Sequence, residues 1–181
     1  HVYWGGTSLG VDPDAYALKS ASPVLVDAGS AGPGNYQGFV RHVIEPAFPR
    51  VLAYIHISFA GIYAFSDRIM VGESHDMRLM ASRDVIEVAQ AHADTVVGIK
   101  VRVGAVASGS SGVAPLDMAI EAAEDRDQEG LADEDRAVGL REVEGGGCLI
   151  ERGVQLVETG QRVENDGVLL QGAVGIQFVT G

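Results

Sequence analysis

Lys100 is the residue whose type and setting most clearly point to chemistry. It is one of only two lysines in the chain, and it lies within an apolar, strand-like run at residues 97–103 (VGIKVRV). With the two-residue period of a strand, Gly98, Lys100 and Arg102 share one face. Burial of an ammonium group is costly unless the group is paired or chemically changed. Three interpretations follow: an edge-strand lysine in water, a Schiff-base nucleophile, or a carbamylated lysine that bridges two metal ions.

A glycine-rich loop near the start of the sequence holds a second set of candidates. His1 precedes it, and residues 6–10 (GTSLG) match the G-x-S-x-G pattern of a nucleophile elbow centred on Ser8. The elbow needs a buried strand just before the serine and a helix immediately after it. Residues 1–4 are too short for that strand, and the Asp12-Pro13-Asp14 helix start comes too late. A chance match is therefore the favoured interpretation of Ser8.

Two further glycine-rich stretches are predicted to be loops. Residues 29–34 (GSAGPG) follow a predicted strand and precede a predicted helix, a setting in which helix amides can bind an anion. They lack the G-x-G-x-x-G order and have no phosphate-binding lysine, so a nucleotide site is poorly supported. We expect a loop that needs glycine for close approach of the backbone. Residues 104–112 (GAVASGSSG) are predicted to form another loop at the same face.

The elements that must position these residues alternate along the first part of the chain. Strands are predicted at residues 23–30, 50–59 and 96–103, and helices at residues 34–47, 82–93 and 114–124. Ser82 is the predicted N-cap of the second helix. Alternating strands and helices predict an α/β fold with a parallel sheet, either open and doubly wound or closed into a (β/α)8 barrel.

Residues 126–181 differ in kind from residues 1–125. They contain no Lys, His or Pro and are rich in Gly, Val and acidic residues. Residues 154–163 and 167–179 are predicted strands, with Asn165-Asp166-Gly167 as the turn of a β-hairpin. A second hypothesis is that this tail is not native coding sequence, as a shifted reading frame would produce. We therefore divide the chain into a 1–125 unit and an atypical 126–181 tail.

The bulk properties exclude some partners. A chain of 181 residues can form one domain with a sizeable core. Its net charge of −12 would be repelled by nucleic acid and by an anionic membrane surface, so we expect neither as a partner. Cys148 is the single cysteine, which excludes an internal disulfide and fits a reducing, cytoplasmic location. Oligomer formation is left open.

Four stretches of residues 1–125 resemble a known group of enzymes: residues 1–12 (HVYWGGTSLGVD), 26–32 (VDAGSAG), 57–63 (ISFAGIY) and 98–102 (GIKVR). The group is the amidohydrolase/deacetylase metallohydrolases, relatives of dihydroorotase within the amidohydrolase superfamily. The resemblance implies a (β/α)8 TIM-type barrel, of which this chain would hold about strands 2–4 with their helices. It also implies hydrolysis of small acylated acids or cyclic amides.

The resemblance also implies a binuclear zinc site. His1 matches the second histidine of the family's His-x-His pair, and Lys100 matches its carbamylated bridging lysine. The loop of Tyr3, Trp4, Gly5, Gly6 and Ser8 would line the substrate side of the metals.

The expected metal site is incomplete. The family supplies two further ligand histidines and a proton-accepting aspartate, and no residue here matches them; no histidine follows His92. We expect a fragment cut at both ends, inactive alone, with uncovered sheet edges. The alternatives are a non-catalytic association module and a Schiff-base lyase that uses Lys100.

Overall fold

The computed structural model describes residues 1–63, 68–69 and 71–130, together with the backbone of four strands in the remainder of the chain. Side chains are described as far as residue 125. The first elements are α1 (Pro13–Ser20), β1 (Val24–Asp27), α2 (Pro33–Phe39) and β2 (Arg50–His56), and a π-helical turn, Val40–Ile44, extends α2. The next are α3 (Ser82–Ala91), β3 (Val96–Val103) and α4 (Ala114–Gly130). The later strands are β4 (Gly139–Val143), β5 (Gly147–Glu151), β6 (Val154–Thr159) and β7 (Ala173–Gln177).

The predicted parallel sheet is present. β1 pairs with β2 and β2 with β3, both in parallel, and α2 and α3 make the crossovers between them. Chain order is also spatial order in this part of the sheet, so successive right-handed crossovers place α2 and α3 on the same face. That arrangement is typical of a singly wound barrel rather than of a doubly wound sheet.

The core lies between this sheet and its helices. Alternate residues of each strand point into it, and the amphipathic α3 contributes Val85 and Ala89. The largest fully buried apolar side chains are Tyr36, Phe39, Ile55, Ile57, Val85, Val96, Ile99 and Val101. On β1, by contrast, Val24 and Val26 are 46% and 48% exposed. Two apolar side chains of this edge strand are therefore about half exposed.

Two strands, β1 and β2, end earlier than predicted because of local hydrogen bonds. β1 stops at Asp27, and not at Ser30, because the Asp27 carboxylate accepts from the Ser30 amide at 2.6 Å and turns the chain. β2 stops at His56, and not at residue 59, because the Ser58 amide turns back to donate to His56 Nδ1 at 2.9 Å. At both strand ends, a side-chain acceptor thus takes the backbone N–H group that would otherwise continue the hydrogen bonds of the sheet.

The predicted cap of α3 was wrong by one residue. Ala81 occupies the N-cap position, and Ser82 is the first helical residue. The Ser82 hydroxyl donates instead to the backbone oxygen of Met118, at 3.5 Å, and so joins α3 to α4. A tertiary contact therefore takes the hydroxyl that the local pattern assigned to capping.

The later strands continue the same sheet. β7 pairs antiparallel with β3, and the order from that point is β7-β6-β5-β4. β6 and β7 are antiparallel neighbours, as in the predicted hairpin, but they are shorter than predicted. The predicted Asn165-Asp166-Gly167 turn lies outside the described residues. β4 and β5 were not predicted. Among the described helices, none has the length and apolar character needed to cross a membrane.

Candidate functional site

The candidate residues meet where the parallel strands β1, β2 and β3 end. The loop that follows β1 joins them, because Ser30 hydrogen-bonds His1 and Gly29 lies against Lys100. A Cβ atom added to Gly29 would lie 2.4 Å from Lys100 Cδ, so this close approach requires glycine. The carboxyl ends of parallel strands are where α/β folds place their active sites. The two predicted metal ligands therefore flank one loop at the expected edge.

His1 is held by a buried hydrogen-bond chain. Its Nδ1 lies 2.8 Å from Ser30 Oγ, and that hydroxyl donates to Asp27 Oδ2 at 2.7 Å. Asp27 also accepts from the Val2 amide, at 2.7 Å. Asp27 and Ser30 are fully buried, whereas His1 is exposed. The arrangement fixes the imidazole ring through Nδ1.

Lys100 lies on β3 on the face opposite the core. Ile99, Val101 and Val103 are buried, and Lys100 and Arg102 are partly buried between them, so the predicted two-residue alternation is confirmed. Lys100 Nζ lies 3.7 Å from Glu73 Oε1, and Arg102 Nη1 lies 3.6 Å from the same oxygen. Glu73 is itself buried. Of the three interpretations, the structure excludes a lysine whose ammonium lies free in water.

The electrostatics of Lys100 reflect opposing effects. Burial lowers the pKa of Lys100 from 10.5, and the Glu73 carboxylate acts in the opposite direction. Burial disfavours the ammonium form and so favours the neutral amine, which is the form that attacks carbon dioxide or a carbonyl group. The geometry therefore suits either of the two reactive interpretations of Lys100.

His56 is a buried histidine beside Lys100. The two are register partners on β2 and β3. Its Nδ1 accepts from the Ser58 amide, whereas its Nε2 has no hydrogen-bond partner among the described residues. Burial first, and then the charges of Lys100 and Arg102, hold the pKa of His56 well below 6.5. The structure therefore places His56, fully buried, beside Lys100.

His56 makes stability depend on pH. Below about pH 6.5 the unfolded chain takes up a proton at this residue and the folded chain does not, so acid favours unfolding. We expect the free energy of unfolding to fall by about 1.4 kcal/mol per pH unit below that point from this residue alone. Asn can replace the Nδ1 acceptor, so urea unfolding of His56→Asn from pH 7.5 to 5 should show a smaller pH dependence. The exposed His42→Asn should keep the wild-type slope, and equal slopes in both variants would contradict the prediction.

The predicted substrate loop divides into packed and exposed residues. The Tyr3 ring lies 4.6 Å from that of Phe39, and its hydroxyl donates to the backbone oxygen of Asn35. Gly6 lies against the Tyr3 ring. Trp4 is 60% exposed, and Gly5 and Ser8 are also exposed. Tyr3 and Gly6 thus hold the loop in place, and Trp4, Gly5 and Ser8 are its exposed residues. No helix starts at Ser8, which agrees with a chance elbow match.

The described residues do not by themselves fit a binuclear metal centre. His1, with Nδ1 held by a hydroxyl group, has the donor arrangement of a metal ligand, and Lys100 suits a second position. Within the described part of the chain, no three His, Cys, Asp or Glu side chains come together as a metal-binding group. The donor set is therefore partial, and no reaction step through a metal can be derived from it.

Comparisons with known proteins support a superfamily for part of the chain. No family model matches the chain. A deacetylase of Brucella anthropi is 34% identical over 116 residues, and a deacetylase of Agrobacterium fabrum is 33% identical over the same length. Each match covers 64% of this chain and 28% of the relative.

Two solved structures are also similar. A dihydroorotase crystal structure has a TM-score of 0.59 at 31% identity, covering 68% of this chain and 38% of that one. An adenine deaminase crystal structure has a TM-score of 0.61 at 27% identity, covering 67% and 32%. Part of this chain is an amidohydrolase-superfamily segment. The predicted resemblance is confirmed, and the three parallel strands with their helices match part of a TIM-type barrel. The chain spans 28% of each deacetylase, 32% of the adenine deaminase and 38% of the dihydroorotase.

Three residues of the amidohydrolase segment were missed as site residues by sequence analysis. Asp27 appeared only within a matching stretch, Ser30 only within that stretch and the 29–34 loop, and Glu73 was not singled out. The signal that could have indicated Asp27 is an acidic residue at the end of an apolar strand, followed by the small residues Ala28, Gly29 and Ser30. Glu73 gives no such signal, because only the fold brings its loop to β3.

Proposed function

We propose that this chain is part of a metal-dependent hydrolase that cleaves an amide or ester bond in small acylated acids or cyclic amides. The observation that carries the proposal is the position of His1 and Lys100 on either side of the Gly29–Ser30 turn, at the carboxyl ends of three parallel strands. The names of the relatives (deacetylase, dihydroorotase and adenine deaminase) support hydrolysis at a carbon–nitrogen or ester bond.

The chain's own residues have three roles in this proposal. His1 would be a metal ligand, and Asp27 and Ser30 orient it. Lys100, in carbamylated form, would be a second ligand, and the zinc held there would supply an activated water for hydrolysis. Trp4, Gly5 and Ser8 line the substrate side. Because the described donor set is partial, we propose that activity requires ligands beyond His1 and Lys100.

Two lysines make a matched pair for the test. Lys100→Ala should abolish zinc binding and lower hydrolysis of N-acetyl and O-acetyl acids by at least about 100-fold, because a ligand contributes more than the 10- to 100-fold of a supporting residue. The exposed Lys19→Ala should leave both unchanged. The protein used is the chain extended by its flanking coding sequence, with the metal measured by mass spectrometry.

The unextended chain tests the partial donor set. We expect it to bind less than one zinc ion and to show no turnover. About two zinc ions per chain with turnover would show that residues outside the described part supply the missing ligands. Covalent trapping of a carbonyl substrate on Lys100 by borohydride, without a metal requirement, would overturn the hydrolase proposal in favour of a Schiff-base lyase. Cooperative unfolding of the extended protein with neither activity would favour a non-catalytic module.

A further inference from the structure

The turn at residues 72–75 has its tip inside the protein. The His75 amide donates to the Gly72 oxygen at 3.0 Å, which closes a β-turn with Glu73 and Ser74 at its centre. Residues of connecting loops normally lie on the surface, because their polar groups need water. Glu73 and Ser74 are nevertheless 7% and 0% exposed, whereas His75 is exposed. This turn is therefore inserted into the fold tip first, and we call residues 72–75 the strap.

The tip of the strap covers the amine end of Lys100. Glu73 Oε1 lies 3.7 Å from Lys100 Nζ and 3.6 Å from Arg102 Nη1. The aliphatic part of Lys100 packs against Gly29, where an added Cβ atom would lie 2.4 Å from Cδ. The Lys100 side chain is 14% exposed. Withdrawal of the strap would therefore uncover Nζ while the rest of the side chain stays packed.

The strap lies against the loop that follows β3. The Ser74 amide donates to the Ala107 oxygen at 2.9 Å, and Ser111 Oγ donates to the His75 oxygen at 2.8 Å. The close approach requires Gly72, because a Cβ atom added there would lie 2.4 Å from the Ala107 oxygen. The Ser111 bond is exposed to water, and exposed hydrogen bonds are typical of segments that open locally.

Burial of the tip is opposed by lost hydration. Glu73 Oε1 and Ser74 Oγ are both buried, and neither has a hydrogen-bond partner among the described residues. Lys100 Nζ and Arg102 Nη1 lie beyond hydrogen-bond distance of Oε1, so ion pairing offsets only part of the desolvation of the carboxylate. Both groups regain water when the strap withdraws. The closed position is therefore only weakly favoured over an open one.

We infer that the strap is a movable cover of Lys100, held closed by Glu73, and that Nζ becomes accessible when the strap separates from the loop after β3. Loops that close over reactive groups control access in this way in many enzymes. The inference goes beyond the proposed function and does not depend on it. A carbamylated lysine and a Schiff-base lysine both require that a small molecule reach Nζ.

Acetylation of the lysines measures the cover directly, because the chain has only two of them. Lys19 is exposed and is the reference within each sample. The reagent is N-hydroxysuccinimidyl acetate, and the labelling ratio of Lys100 to Lys19 is read by mass spectrometry. In the wild-type chain we expect Lys100 to react more slowly than Lys19 by about tenfold or more. Equal rates would overturn the inference.

Gly72→Ala should open the strap without changing any charge near Lys100. The added methyl group would meet the Ala107 oxygen, which belongs to the backbone and cannot rotate away. Overpacking of this kind should raise the labelling ratio by about fivefold to a hundredfold. Gly38→Ala is the matched control, since its added Cβ atom meets the Tyr3 hydroxyl, a side-chain atom that can shift. An unchanged ratio in folded Gly72→Ala would overturn the cover.

Hydrogen exchange keeps the inference testable if Gly72→Ala does not fold. In the wild-type chain the Ser74 amide should exchange by local opening, faster than the amide of the buried Val101 on β3. Glu73→Gln leaves two cations without their counter-charge in the closed strap, so Ser74 exchange should rise by about tenfold or more while Val101 is unchanged. The exposed Glu45→Gln should change neither. Equal wild-type exchange of Ser74 and Val101 would mean that the strap opens only with the whole fold, and unchanged exchange in Glu73→Gln would contradict the role of Glu73.

Discussion

Gly32→Ala should destabilise the chain by at least about 3 kcal/mol, because the new methyl group would meet backbone rather than side chain. A Cβ atom at this position would lie 1.9 Å from the Ser58 oxygen and 2.7 Å from the Gly61 nitrogen. Neither atom can rotate away, since both belong to the segment that follows β2. The φ angle of Gly32 is −104°, so backbone strain makes no contribution and the effect is steric.

The contact that Gly32 permits is the one that builds the site. The Ala31 oxygen accepts from the His56 amide at 2.8 Å, and the Ser30 oxygen accepts from the Ile62 amide at 3.1 Å. These bonds dock the loop after β1 onto the end of β2. If the loop is displaced, Ser30 no longer reaches His1. Loss of stability and loss of the His1–Ser30 hydrogen bond should therefore occur together in this variant.

Chemical denaturation measures the effect of Gly32→Ala. In thermal unfolding, the same loss should appear as a fall in the melting temperature of about 6–12 °C for a chain of this size. Gly112→Ala is the matched control, because nothing lies within 4 Å of its added Cβ atom and only its positive φ angle, +56°, opposes the change. With a ψ angle of −123°, Gly112 lies outside the left-handed helical region, and the backbone strain of that control should cost about 1–3 kcal/mol. A cost below about 1 kcal/mol for Gly32→Ala would show that the close approach of the two loops is not real.

Asp27→Asn should cost about 3 kcal/mol, although it changes one atom. Both carboxylate oxygens of Asp27 are engaged: Oδ1 by the Ser30 amide, and Oδ2 by the Val2 amide and the Ser30 hydroxyl. Asn has one acceptor oxygen and one NH2 group. At least one buried backbone N–H group must then face another donor, which costs about 1–3 kcal/mol, and the charge-assisted bonds are weakened as well.

Asp12→Asn is the control for Asp27→Asn. Asp12 caps α1 and accepts from the Asp14 and Ala15 amides with the single oxygen Oδ1. Asn caps helices about as well as Asp, so this change should cost less than about 0.5 kcal/mol. Urea unfolding compares the two variants, and hydrogen exchange of the Val2 amide should be faster in Asp27→Asn only. Similar unfolding energies for both would mean that Asp27 does not hold the Val2 amide in the fold.

The sequence by itself determined most elements of residues 1–125 and the superfamily that this segment resembles. Residues 96–103 were predicted as a strand and form β3 with the same bounds, because alternating apolar residues bury one face whatever lies around them. The glycines between β1 and α2 were predicted to permit close approach, and Gly32 does so. The resemblance of residues 1–125 was confirmed because it rests on stretches spread over several elements, and not on a single motif.

Only the tertiary structure decided how the site is connected. Glu73 pairs with Lys100, and Ser30 with His1, across 27 and 29 positions of the sequence respectively. Such pairs form when loops converge at the ends of parallel strands, which local propensity does not encode. Ser82 illustrates the same limit at a helix start, since its hydroxyl joins α4 instead of capping α3. Residue type and period depend on near neighbours along the chain, whereas hydrogen-bond partners depend on what the fold brings within about 3 Å.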